Sequence, residues 1–190
     1  MIPKNAVLLL VDVQKGHDDP KYGRRNNPHA EERIAELLAA WRASHRPVIH
    51  VQHASRWQTS PFHPTHPGHA FKESAVPRPG ETVIVKNESS AFIGTPLESM
   101  LRKQGIDTVV VVGMTTPHCV ATTARMAGNL GFKTYIVADA TAANDGTVDW
   151  SWSEDRAKDV DPELVHAISL ATMHSEFATV VHSRDLLSAL

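Results

Sequence analysis

At 190 residues the chain has room for one domain with a substantial core, taken as 1–190, and is too short to argue for two. Hydrophobic residues make up 42% and charged residues 21%, the balance of a globular protein, and no run has the ~18 apolar residues of a spanning helix, so no membrane partner is expected. A formal net charge of -2 without a basic cluster gives no attraction for phosphate backbones, which excludes nucleic acid and leaves a small molecule as the expected partner.

The opening Met1-Ile2-Pro3-Lys4-Asn5 lacks the basic segment, longer apolar segment and small-residue cleavage site of a secretory signal, so a cytoplasmic protein is expected. Runs rich in Val, Ile and Leu follow at Ala6–Val11, Pro47–Val51, Thr82–Val85, Thr108–Val112, Thr134–Val137 and Thr179–Val181. Their continuous apolar character predicts parallel strands covered on both faces. Between them, Ala30–Ser44 places Ile34, Leu37, Leu38 and Trp41 on one helical stripe. Thr95-Pro96 reads as the start of a helix that stops at Gly105, and Thr116-Pro117 as the start of one that stops at Gly131. Asp161-Pro162 opens another, running to about Ser175. This order predicts a three-layer α/β/α fold around a mostly parallel open sheet of about six strands. Two connections, Ala54–Glu81 with Trp57 and Ala140–Asp161 with Trp150 and Trp152, are too long for turns and read as lids or a subunit interface.

In such a sheet, ligands bind beyond the carboxyl ends of the strands. Asp12, His53, Lys86, the Gly113–Cys119 segment and Asp139 all follow strand runs and gather on that rim. The single cysteine, Cys119, excludes an internal disulfide and is either a buried small hydrophobe or a reactive thiol. In the first turn of a helix, free amides and the helix dipole favour a thiolate, and the same amides, with one from Gly113-Met114-Thr115, suit an oxyanion. Asp12 emerges from an apolar strand as a candidate base, and Lys86 as the cation that holds base and thiol in register. Each of the three has a bland alternative, as packed thiol, turn-capping acid or solvated lysine. Together on one rim they read as a catalytic set.

Three stretches then resemble the signature regions of the isochorismatase-like cysteine hydrolases: Val7-Leu8-Leu9-Leu10-Val11-Asp12-Val13-Gln14, Val85-Lys86-Asn87-Glu88-Ser89-Ser90-Ala91-Phe92-Ile93-Gly94-Thr95-Pro96-Leu97, and Gly113-Met114-Thr115-Thr116-Pro117-His118-Cys119-Val120. The later Gly131-Phe132 and Val137-Ala138-Asp139-Ala140 extend the likeness over nearly the whole chain. The resemblance implies a triad of Asp12, Lys86 and Cys119, an oxyanion hole from the amides of Thr115 and Cys119, and a cis peptide at Met114-Thr115. It also implies a homodimer or homotetramer and a thioester mechanism that needs no cofactor.

Gln52-His53 lacks the aspartate that the family's nicotinamidases place in a metal cluster, which argues against nicotinamide. His63, His66 and His69 match neither a helical nor a closed zinc spacing, so the default is a solvated or interface loop and no metal. The first loop, Lys15-Gly16-His17-Asp18, departs from the family's usual Asn, acid, Phe continuation. By position on the rim, Gln14, His17, Trp57, Phe92 and His118 are candidates for substrate contact, each with a packing role as its alternative. Three functions remain: hydrolysis of a C–N bond in a small amide, carbamoyl compound or lactam; isochorismatase-type enol-ether hydrolysis, with Lys86, Arg56 or Arg125 as the only evident cations; or binding without catalysis.

Overall fold

A computed structural model describes residues 2–152 and 160–190. The strands are β1 (Val7–Val11), β2 (Val48–His53), β3 (Thr82–Lys86), β4 (Thr108–Met114), β5 (Lys133–Ala142) and β6 (Thr179–Val181). They form one sheet in the order β3-β2-β1-β4-β5-β6 with every neighbouring pair parallel. β1 and β4, at the centre, are buried along their whole length, as their unbroken apolar runs require.

Alternation along β1 divides the core. Val7, Leu9 and Val11 join the side covered by α2 (Leu97–Lys103), α3 (Ala121–Asn129) and α4 (Pro162–Ala171). Leu8 and Leu10 face α1 (Ala30–Ala43) and α5 (Ser183–Leu187). On α1 the stripe Ile34, Leu37, Leu38 and Trp41 is buried, and the Trp41 indole N–H donates to the carbonyl of Ala6 at 3.0 Å. No helix among the described residues is long and apolar enough to cross a membrane.

Several boundaries differ from the sequence expectation. α2 begins at Leu97, with Pro96 outside it, although the Thr95 hydroxyl still accepts from the Leu97 amide. Thr116 is no cap: its hydroxyl pairs with His166 Nδ1 at 2.8 Å, and a π turn over Thr116–Val120 precedes α3. α4 opens as expected, Asp161 capping the Glu163 amide, but ends at Ala171, before a turn with Ser175 at φ 69°. β5 runs on through Asp139, which therefore lies within the strand rather than after it; its carboxylate accepts from the amide and hydroxyl of Ser183 at the start of α5. Residues 153–159 of the second long connection lie outside the described residues.

Gly113 brings β1 and β4 together. Its φ is 125°, and a Cβ there would lie 2.0 Å from the Val11 carbonyl oxygen, directly before Asp12. Gly113→Ala must therefore strain the backbone or part the two strands, and a loss of about 2–4 kcal/mol of unfolding free energy is expected in urea titrations.

Candidate active site

Asp12 follows β1 with φ 52°, and its amide continues the ladder by donating to Val51. Lys86 is the last residue of β3, paired in register with His53 of β2. β3 and β1 are two strand spacings apart, roughly 9–10 Å, a gap that a four-carbon stem can bridge. The Lys86 side chain is accordingly fully buried, and its Nζ lies 2.7 Å from Asp12 Oδ2. The same ammonium donates to Cys119 Sγ at 3.3 Å and to the Glu88 carbonyl at 3.1 Å, and lies 3.3 Å from His53 Nδ1. Asp12 Oδ1 is buried with no hydrogen-bonding partner among the described residues. Cys119 sits in the π turn, two residues before α3, and the Met114–Thr115 peptide bond that leads into the turn is cis.

The electrostatics of the three groups differ from the thiolate that a helix N-terminus favours. Burial pushes the Cys119 thiol up to about 12, the Asp12 charge adds to the rise, and Lys86 only partly opposes it. Burial works against the Lys86 ammonium, but Asp12 and the cysteine sulfur outweigh it and raise its pKa. The site thus sets a thiol of raised pKa beside the buried Lys86–Asp12 pair.

Asp12 and Cys119 open into a cavity of about 320 Å³ shared with Thr115 and His118, and with the rings of His17, Tyr22, His53 and Phe62; Ser60 and Thr147 also line it. Of the five positions put forward for substrate contact, His17 and His118 are here. Gln14 is not. It is buried, its amide donating to the carbonyls of His53 and His69 and accepting from the His53 amide, and so pins the first long loop to β2. Phe92 packs in the core against Phe132, with ring centroids 5.8 Å apart. Trp57 is exposed and borders a separate cleft with Arg56 and Glu88. Tyr22 and Phe62 escape sequence reasoning. Tyr22 ends a 3-10 turn that Asp19-Pro20 signals, Asp19 capping the Lys21 amide, whereas nothing in the loop marks Phe62 as inward.

The histidine loop turns on itself. His63 Nδ1 pairs with Thr65, His66 Nδ1 accepts from the Gly68 amide, and the His69 carbonyl accepts from Gln14 and Gln52. No group of three or more His, Cys, Asp or Glu side chains suited to a metal ion occurs among the described residues.

His17 carries a pH signature. Burial, then the charges of Lys72 and Arg25, lower its pKa from 6.5 to about 3. The unfolded chain therefore binds a proton below pH 6.5 that the folded chain refuses, and stability falls as pH drops from about 6.5 towards 3. Between pH 6.5 and 5, His17→Gln is expected to lose about 1–2 kcal/mol less stability than the native chain, as measured by urea unfolding at the two pH values.

The isochorismatase domain family matches residues 6–185. The isochorismatase-family protein YrdC of Bacillus subtilis is 47% identical over 97% of this chain and 96% of its own length. Maleamate amidohydrolase of Pseudomonas putida is 32% identical, over 98% of this chain and 87% of its own. A crystal structure of an isochorismatase-family protein from Chromobacterium violaceum superimposes with a TM-score of 0.92 at 45% identity, covering 100% of this chain and 95% of that one. With a six-stranded parallel sheet of matching fold and a family match along nearly its whole length, the chain belongs to the isochorismatase family of hydrolases.

Proposed function

We propose that this protein is a cysteine-dependent hydrolase that cleaves a C–N bond in a small amide, carbamoyl compound or lactam. The observation that carries the reading is the buried Lys86 Nζ standing 2.7 Å from Asp12 Oδ2 and 3.3 Å from Cys119 Sγ, the latter two residues lining one cavity. Asp12 takes the thiol proton as sulfur attacks the carbonyl carbon, and the amides of Thr115 and Cys119 receive the oxyanion. The C–N bond breaks as Asp12 returns the proton to the departing amine, leaving a thioester on Cys119. Water, deprotonated by the same carboxylate, then releases the acid and restores the thiol. Lys86 orients Asp12 through their 2.7 Å contact as the carboxylate takes up and returns the proton. The amidohydrolase name of the Pseudomonas putida relative supports the choice of bond.

The enol-ether alternative calls for cations that face a carboxylate-bearing substrate. Arg56 pairs instead with Glu88 at 2.8 Å, and Arg125 with the Thr172 hydroxyl at 2.9 Å, neither of them lining this cavity.

The same reading makes the protein a single-domain cytoplasmic enzyme, assembled as a homodimer or homotetramer. Support for assembly comes from Leu164 and Ile168, exposed on the outward face of α4, and sedimentation velocity tests it.

Turnover of a panel of small amides, ureides and lactams in the presence of hydroxylamine tests the chemistry. A thioester partitions to an acyl hydroxamate, so ammonia or amine release accompanied by hydroxamate is expected. Release without hydroxamate overturns the covalent route, and no release from any member overturns C–N hydrolysis.

A further inference from the structure

The substrate's charge is legible in the cavity walls. No arginine or lysine lines the cavity among the described residues. The nearest ammonium, on Lys86, has three protons and already has Asp12 Oδ2, the Glu88 carbonyl, Cys119 Sγ and His53 Nδ1 within hydrogen-bonding reach, so none is left for a substrate anion. Of the cations further out, Arg25 holds Glu31 at 2.6 and 2.7 Å, Lys72 holds Glu31 at 3.0 Å together with Asp18, and Lys21 lies over the Tyr22 ring at 5.2 Å from its centroid. Burial lowers the pKa values of His17, His53 and His118, so the three imidazoles that border the cavity are neutral at pH 7.

What remains is uncharged: aromatic rings together with Ser60, Thr115 and Thr147. The rings of His17 and Phe62 lie 4.6 Å apart, and that of Tyr22 lies 6.2 Å from Phe62. A carboxylate brought into this space would be desolvated beside the buried Asp12 carboxylate, with no cationic side chain among the described lining residues to offset either cost. At about 320 Å³ the cavity is also at the small end of ligand sites.

We infer that the substrate is a small, electrically neutral amide whose acyl portion is mainly apolar, and that the cavity rejects amides bearing a carboxylate. This rests on the amide-hydrolase reading and narrows it. Maleamate, in the name of the Pseudomonas putida relative, carries such a carboxylate, so the two proteins are expected to differ in substrate charge despite their shared fold.

The test uses the full chain at pH 7.5 with three four-carbon amides: butanamide, succinamide and succinamate. Ammonia release should give kcat/KM for both neutral amides at least about 100-fold above that for succinamate. A ratio below about 100-fold for either neutral amide overturns the inference. Should none of the three release ammonia, the hydrolase reading fails on its own account, and binding to Cys119→Ala by saturation-transfer NMR decides the charge preference. Saturation transfer to the neutral amides alone upholds it, and any other pattern overturns it.

Discussion

Cys119→Ala is expected to lower amide turnover by at least about 10⁴-fold while leaving the fold intact. In the proposed route every catalytic cycle passes through a bond to Cys119 Sγ, and no other thiol exists in the chain. The side chain is small and only partly buried, packed beside the core near Val120 and Ala121, so its loss should shift stability by no more than about 1 kcal/mol. Ammonia release with the best amide, read beside the urea midpoint, checks both halves. Cys119→Ser should be nearly as inactive, because a hydroxyl is a far weaker acid than even this raised thiol. Residual activity above 1% would mean that water activated by Asp12 attacks directly. The raised thiol also predicts slow alkylation by iodoacetamide at pH 7, with a rate that climbs about tenfold per pH unit on the way to the thiol's own pKa.

The second large effect concerns the ion pair beneath the sulfur. Asp12→Asn removes the base and strands a buried ammonium, and Lys86→Met strands a buried carboxylate. Each should cost about 3–5 kcal/mol of stability, because an uncompensated charge is left where the native side chains are almost fully enclosed. Each should also lower kcat by at least about 10³-fold. The double variant separates the two roles. With both charges gone the desolvation penalty disappears, so the pair Asp12→Asn and Lys86→Met should be more stable than either single variant yet equally inactive. Additive stability losses would show that the 2.7 Å contact carries no electrostatic coupling.

Much of this architecture can be read from residue order, because the central strands are unbroken apolar runs and Asp12, Lys86 and Cys119, the residues proposed to react, each stand at the end of a strand or in the turn that follows. The failures share a physical cause. A strand that continues through polar residues hides its length, as β5 does through Asp139, whose carboxylate caps α5, and Thr141, whose hydroxyl donates back to Ala138. Thr116 before a proline mimics a helix cap, and only the distant His166 explains its hydroxyl. Position on the rim also says nothing about which way a side chain points. Gln14 turns inward to bond backbone that lies 39 and 55 residues away, and Phe92 turns into the core, while Tyr22 and Phe62 reach the cavity from irregular segments whose path no periodicity encodes.

The strand order has a consequence for how the chain comes to exist at all. β1 lies between β2 and β4, and Leu9 finds its partner Val111 across roughly a hundred residues of chain. During synthesis, β1, β2 and β3 can meet early, but until Thr108–Met114 emerges the strand Val7–Val11 is an edge: five apolar residues and a row of unpaired amides. That edge is a template for another nascent chain, and Asp12, Lys86 and Cys119 cannot assemble before the same moment, since Cys119 follows β4. A ribosome that stalls ahead of residue 108 therefore holds a fragment without Cys119 and with its stickiest surface uncovered, one that depends on a chaperone or on rapid elongation to avoid aggregation.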